Sequence, residues 1–424
     1  MSDIVLFGDR EHALDQSTLE IVGSRGVRAV SLVDLDVPIC PGFVLPNEFL
    51  AGFPENTTTD WAFLKDPVEA VEKRMKRYFG GKDQVLLLKA AESPMLNVRS
   101  SLPSIHHIGL CNATLDGFAA AAGETFAYRE YGYLLANVLR LELECEIDDK
   151  RRKQLNEFLE ELRAAKRKTS ILKTIETHQG VLPDDFFTEP YFQLSYVLKL
   201  FREAFKTSPT REDSAVLVQA MVYGNFDKDS SSGYLYTHNI ISGEDELQGE
   251  FFPKAFDETS GKGKALSGLS KEHSKELSRI ARTLEDHFRD LRFVRFTIES
   301  GKLWLVDQGT VPNKSTQAEI KTLLDLMKRK VVTDTFVIQA IKPGRLSEIL
   351  HPTLDTKSVA KTKKIKGGIA GSVGAAIGRV FFSTERLVNA YREAQIKGED
   401  TDVILAMPST FAGDVKGIEI AQGV

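Results

Sequence analysis

The sequence predicts an α+β protein of 424 residues, and two observations carry that expectation. Apolar residues alternate with period two in several short runs, while longer stretches between them take helical spacing. Strand and helix signals are interleaved along the chain without a solenoid-length repeat, which suits mixed layers around a core.

Residues 18–50 read as strand and helix around a tight turn, Val22-Gly23-Ser24-Arg25-Gly26. Val37-Pro38-Ile39-Cys40-Pro41-Gly42-Phe43 cannot be helix interior, because proline lacks the backbone donor; it is a loop feeding Phe43-Val44-Leu45. Leu86-Leu87-Leu88 and then Leu96-Asn97-Val98-Arg99-Ser100-Ser101 form a second β-like zone. From Asp116 to about Thr177 the spacing is helical, and the charged stretch Glu157–Lys168 reads as solvated surface. Ala215–Tyr223 and Gly233–Thr237 return to a β pattern, joined by the turn-rich Gly224–Ser232. Lys271–Leu291 is an amphipathic helix, and Val294–Ile298 with Lys302–Val306 form a hairpin around Glu299-Ser300-Gly301. Ile320–Thr333 and Val337–Ala340 are helical again. A Lys-rich connector, Lys357 to Lys366, leads into a Gly-rich run at 367–378, which reads as a tight loop entering a buried strand.

At roughly 100–200 residues per domain, this length predicts two or three domains. With 42% hydrophobic and 27% charged residues, disorder over most of the chain is excluded. A net charge of −5 does not suit a nucleic-acid partner, which wants a basic surface. No apolar run reaches the ~20 residues of a membrane span, so no membrane partner is expected. The N-terminus has no signal-peptide pattern, and Cys40, Cys111 and Cys145 are odd in number and widely spaced. A cytoplasmic location is the expectation.

The sequence holds no GxxxxGK[ST] phosphate loop, no GxGxxG after a strand, no HExxH and no clustered Cys/His site. His106-His107 are adjacent, so their side chains diverge, and a structural or substrate-contact role fits better than a shared metal. Two arginines carry more information. Arg25 sits in the glycine-flanked turn, where backbone amides and a cation can approach phosphate oxygens together, and Arg99 precedes Ser100-Ser101. Taken singly, each is more often a surface ion-pair residue.

Several collinear blocks give these residues weight. Gly23-Ser24-Arg25-Gly26 with Pro41-Gly42-Phe43, Val98-Arg99-Ser100, Val218-Gln219-Ala220-Met221-Val222-Tyr223-Gly224-Asn225, Phe296-Thr297-Ile298-Glu299 with Gly301-Lys302-Leu303-Trp304, and His351-Pro352 recur in order. Together they resemble the nucleotide-binding half of the pyruvate phosphate dikinase and phosphoenolpyruvate synthase family, the dikinase branch more closely. The resemblance covers nearly the whole chain, and is weakest at 112–185.

The resemblance implies an ATP-grasp fold of two α+β subdomains with a helical insertion, followed by the start of a swivelling phosphohistidine domain. The implied division is 1–112 for the first lobe, 113–200 for the insertion, 201–350 for the second part, 351–366 for the linker and 367–424 for the swivelling domain. It also implies ATP as ligand with Mg²⁺, and phosphoryl transfer towards a histidine and then pyruvate. By position, Arg25 stands where the family has a phosphate-binding lysine, and Arg99 matches its phosphate-binding arginine. Gln219, Met221 and Val222 fall on the strand facing adenine. The histidine motif would follow Val424, and pyruvate or phosphoenolpyruvate would be met through domains beyond this chain. A homodimer is compatible with the sequence.

Departures from the family pattern point to a second reading. Phe293 and Arg295 stand at two acidic positions, and Gly309 stands at an arginine. Asp307 is then the remaining candidate for holding a metal, which puts Mg²⁺ in doubt. No catalytic residue is assigned. The alternative is a catalytically degenerate pseudoenzyme serving as a nucleotide- or metabolite-binding regulatory protein, with Arg295 substituting for the metal's charge.

Overall fold

The computed structural model describes residues 4–8, 16–52, 61–95, 100, 102–211, 213–349, 363 and 375–424. The chain packs as two compact units, Met1–Ile240 with Glu244–Asn313, and Ile241–Gly243 with Lys314–Val424. Helix and sheet are mixed in both, as the interleaved periodicity predicts.

The first unit is built on two five-stranded sheets, antiparallel throughout. One has the order β1 (Val5–Phe7), β2 (Gly42–Leu45), β7 (Ala215–Ala220), β5 (Leu88–Ser93), β6 (Ile105–Ile108). The other runs β10 (Lys264–Ala265), β9 (Gln248–Pro253), β8 (Ser231–Tyr236), β11 (Arg292–Glu299), β12 (Lys302–Thr310). A short parallel ribbon, β3 (Tyr78–Phe79) with β4 (Val85–Leu86), stands apart.

The central strand β7 is buried along its whole length, and its alternation divides the unit into two cores. Val216, Val218 and Ala220 face a helical layer of α3 (Asn47–Ala51), α4 (Ala62–Met75), α5 (Leu115–Ala122), α6 (Glu124–Cys145), α7 (Asp149–Ala164), α8 (Lys168–Thr177) and α9 (Pro190–Lys206). Ala215 and Leu217 face the other way, joining α1 (Gln16–Ile21), α2 (Gly23–Val30), α10 (Lys271–Phe288) and the inner residues of the second sheet. The helical zone predicted from Asp116 to Thr177 is present. Its helices start where side chains satisfy the free amides: Asp148 accepts from the Arg151 amide, and Ser270 does the same for His273 at α10.

The β11–β12 hairpin forms around Ser300 (φ 48°) and Gly301 (φ 79°). A two-residue loop with both central residues at positive φ matches the strand twist, and glycine takes one of those positions without strain. The register shifts between Arg295 and Phe296, leaving Val306 as the extra residue on β12. The loop before β2 ties the two sheets together: Leu305 N–H donates to Pro38 O at 2.7 Å, and Cys40 N–H to Leu305 O at 3.1 Å.

In the second unit, α11 (Thr316–Lys328) and α12 (Asp334–Ala340) fall on the predicted helical stretches, and α13 (Pro343–Ile349) is a further helix that was not predicted. Beyond them β13 (Arg379–Phe381) pairs in parallel with β14 (Val403–Leu405), flanked by a helix over Thr384–Lys397. The strand predicted after the Gly-rich run exists but is not buried: Arg379 and Val380 are exposed, and Phe381 is partly covered. The sheet has only two strands, β13 and β14, so less of it is covered than the apolar run suggests. The Gly-rich run itself and the connector lie, except for Lys363 and residues 375–378, outside the described residues.

Candidate functional site

Two adjoining pockets form one cleft in the first unit and share Lys89, His106 and Val306 on their walls. The two halves differ in chemistry.

The larger half is mainly apolar, with Ala220, Met221, Val222, Phe256, Phe296 and Val306 on its walls. Met221 and Val222 sit immediately past the end of β7, where the ladder has finished. Met221 N–H still donates to Leu87 O at 2.9 Å. Among the described residues, the Val222 amide and the Met221 and Val222 carbonyls carry no hydrogen bond. An unpaired backbone donor and acceptors beside apolar walls suit the edge and faces of a flat heteroaromatic ring. Ser232, buried on the same wall, has a hydroxyl without a partner.

The smaller half gathers cations. Arg25 and Arg28 come from α2, Lys89 from β5, and Asp307 and Gln308 from β12. Arg28 Nε lies 3.7 Å from Asp307 Oδ1, and Gln308 Nε2 donates to Arg28 O at 3.0 Å. Arg25 makes a long 3.4 Å contact to Ser104 Oγ and no ion pair among the described residues. Lys89 has neither a hydrogen bond nor an ion pair there. Burial lowers the Lys89 ammonium from its ordinary value; Asp307 pulls it back, and Arg25 and Arg28 push it further down. Burial and then the Arg28 charge lower Arg25 in the same way. His106, between the halves, is pushed down to about 4 by burial and by the Lys89 and Arg25 charges, so it is neutral at pH 7.

The sequence-predicted residues meet this cleft unevenly. Arg25 lines it, but from the first turn of helix α2 and not from an open turn. Gly23, at φ 65°, makes the tight entry, and a Cβ there would lie 2.1 Å from Ser93 O. The amides expected to meet phosphate are already used. Ser24 N–H donates to Pro94 O at 2.7 Å, and Arg25 and Gly26 N–H donate to Ser93 Oγ at 3.0 and 2.9 Å. The helix is capped from β5, so only the arginine side chain is free to face a ligand. Gln219 lines the cationic half, where its Nε2 donates to Cys40 O at 3.0 Å. Met221 and Val222 lie together on the apolar wall, and Asp307 on the cationic one. Arg99, with the rest of the predicted strand at 96–99, lies outside the described residues. The cation that the sheet does bring to the cleft is Lys89, whose signal in the sequence is a lone charge inside the apolar run Leu86–Ala91.

His107, at φ 64°, is buried among Phe118, Phe126, Tyr223 and Phe256, with its backbone N–H donating to Met221 Sδ, behind the apolar wall.

The acidic positions bear on the metal. Magnesium is held by one or two carboxylates plus phosphate oxygens in strict octahedral geometry. Phe293 packs on Tyr236, ring centroids 5.3 Å apart, and Arg295 pairs with Glu258 at 2.7 Å. Asp257 Oδ1 accepts from the Thr259 and Ser260 amides, both at 3.0 Å, so it caps its own turn. Asp307 faces Arg28. Among the described residues, the cleft holds no cluster of three His, Cys, Asp or Glu ligand atoms. The residues present do not fit a magnesium site.

Fold and cleft together define an α+β protein whose two antiparallel sheets carry a site with one apolar and one cationic half. Comparison with known proteins narrows this. No family model matches the chain. It is 37% identical over 419 residues to the pyruvate, phosphate dikinase of Treponema pallidum, covering 95% of this chain and 45% of that protein. It is 27% identical to the enzyme of the same name from Rhizobium meliloti, covering 95% and 49%. To the chloroplastic pyruvate, phosphate dikinase of Mesembryanthemum crystallinum it is 24% identical, covering 99% and 47%. The chain thus spans about half the length of the curated relatives it matches. It is related over almost its whole length to the N-terminal part of pyruvate, phosphate dikinases, the family read from its motifs. Among the described residues no helix is long and apolar enough to cross a membrane.

Proposed function

We propose that this chain is the ATP-binding portion of a pyruvate phosphate dikinase-like phosphotransferase, with an ATP-grasp fold leading into a swivelling domain. The observation that carries the reading is the division of the cleft. An apolar wall with free backbone groups at Met221 and Val222 adjoins a pocket bearing Arg25, Arg28 and Lys89. A purine ring suits the first and a phosphate chain the second. In the intact protein the phosphoryl group would pass to a histidine and then to pyruvate, through segments beyond this chain. Isothermal titration of the folded chain with ATP is the direct test. The reading predicts saturable binding that is lost on Val222→Pro, which removes the free amide; no heat at millimolar ATP refutes it.

A second reading is favoured by one specific observation, the state of Phe293 and Arg295. A ring packed on tyrosine and a guanidinium paired with Glu258 stand where carboxylates would be needed. In this reading the protein binds nucleotide and regulates, without transferring phosphate. Labelled ATP distinguishes the two: label on the intact protein supports the enzyme, and binding without transfer supports the regulator.

A further inference from the structure

The cationic half of the cleft has a charge imbalance that the protein itself does not resolve. Among the described residues, Arg25, Arg28 and Lys89 line that wall against one lining carboxylate, Asp307, with Glu92 the further carboxylate that acts on Arg25 and His106 neutral. Asp307 Oδ1 is itself faced by Arg28 and accepts from the Gln308 amide at 2.9 Å. Arg295 does not add to the set, because Glu258 neutralises it. Desolvated ammonium and guanidinium groups without counter-charges are costly, and a polyanion placed among them relieves that cost. A divalent cation would add charge of the wrong sign, and among the described residues the cleft's other carboxylates are engaged, Glu258 by Arg295 and Asp257 by its own turn.

We propose that the cleft takes the polyphosphate chain of its nucleotide as the free anion, with Arg25, Arg28 and Lys89 supplying the charge that a divalent ion would otherwise bring. The proposal rests on the nucleotide reading above and assigns its substrate form. Lys89 is its distinguishing residue. It reaches the cleft from the start of β5, flanked by Leu88 and Ala90 in the core, and among the described residues its ammonium has no hydrogen-bond acceptor. Magnesium in solution then competes with the site for the nucleotide and weakens binding.

Titration calorimetry on the full chain tests this with three probes: ATP in EDTA, ATP in excess Mg²⁺, and inorganic tripolyphosphate in EDTA. The expected result is ATP binding at least about threefold tighter in EDTA than in Mg²⁺, with tripolyphosphate also bound. Lys89→Met should weaken ATP about tenfold in EDTA, in a protein whose melting temperature is not lowered. If that variant does not fold, Arg28→Gln, on a half-exposed side chain, reads the same loss. Binding that is tighter with Mg²⁺ overturns the proposal and leaves the nucleotide reading standing. Tripolyphosphate bound without ATP supports the metal-free anion site and removes the nucleotide. No binding of any probe removes both, and unchanged affinity in both variants overturns the charge assignment.

Discussion

The His106 imidazole reports the electrostatics of the cleft, because its charge is opposed by burial and by the same cations assigned to the phosphate chain. Its midpoint falls from the ordinary 6.5 to about 4, first through desolvation and then through Lys89 and Arg25. In the unfolded chain the ring titrates near 6.5, so the folded state binds the proton less well. The resulting contribution to stability is present above pH 6.5 and is lost as the pH falls towards 4. At about 1.4 kcal/mol per pH unit, the loss is at most about 3.5 kcal/mol. Proton NMR of the ring Cε1–H across pH 8 to 5 reads the midpoint directly. A resonance still in its neutral position at pH 5 is expected, moving earlier in Lys89→Met, where one opposing charge is gone. Urea unfolding of His106→Asn should lose less stability over the same range than the parent protein. An imidazole that titrates at or above 6.5 in the folded protein would refute the reasoning, since the cleft would then be neither dry nor cationic.

Three further outcomes follow from the geometry. Arg77 holds the buried Glu299 carboxylate with two hydrogen bonds, of 3.1 and 2.7 Å, and Glu299 also accepts the Tyr223 amide. Arg77→Met strands that carboxylate and should cost about 3 kcal/mol in urea unfolding at pH 7, with part of the loss recovered in Arg77→Met/Glu299→Gln. Asp307→Asn removes the carboxylate of the cationic wall. ATP affinity in EDTA should hold or rise, whereas a metal-dependent site would lose binding. Ser93→Ala uncaps α2, leaving the Arg25 and Gly26 amides without their acceptor, and should lower stability by about 1–2 kcal/mol as read by thermal melting.

Much of the secondary structure was legible because it is written locally. The β11–β12 hairpin follows from alternation around Ser300-Gly301, and the helical layer from spacing between Asp116 and Thr177. Met221 and Val222 were singled out only through the resemblance, and they line the cleft just past the end of β7. Other positions misled. Arg25 looked like part of an open turn because glycine flanks it on both sides; Gly23 instead makes the entry, and Gly26 lies inside the helix against Val22 and Val44. The strand after the Gly-rich run looked buried because apolar residues alone do not say how many sheets will cover them.

By itself, the sequence determined the class of protein, the order of its elements and its kinship with the N-terminal part of pyruvate, phosphate dikinases, since these depend on periodicity and on motifs a few residues long. The partners of these side chains were decided by the tertiary structure, which pairs Arg295 with Glu258 and brings Arg28 and Lys89 to the cleft. Those partners lie on strands and helices far apart in the chain. Their meeting depends on sheet order, on the bulge at Val306 and on the cap that Ser93 places on α2. Charge and desolvation act between neighbours in space, and neither leaves a periodic mark along the chain.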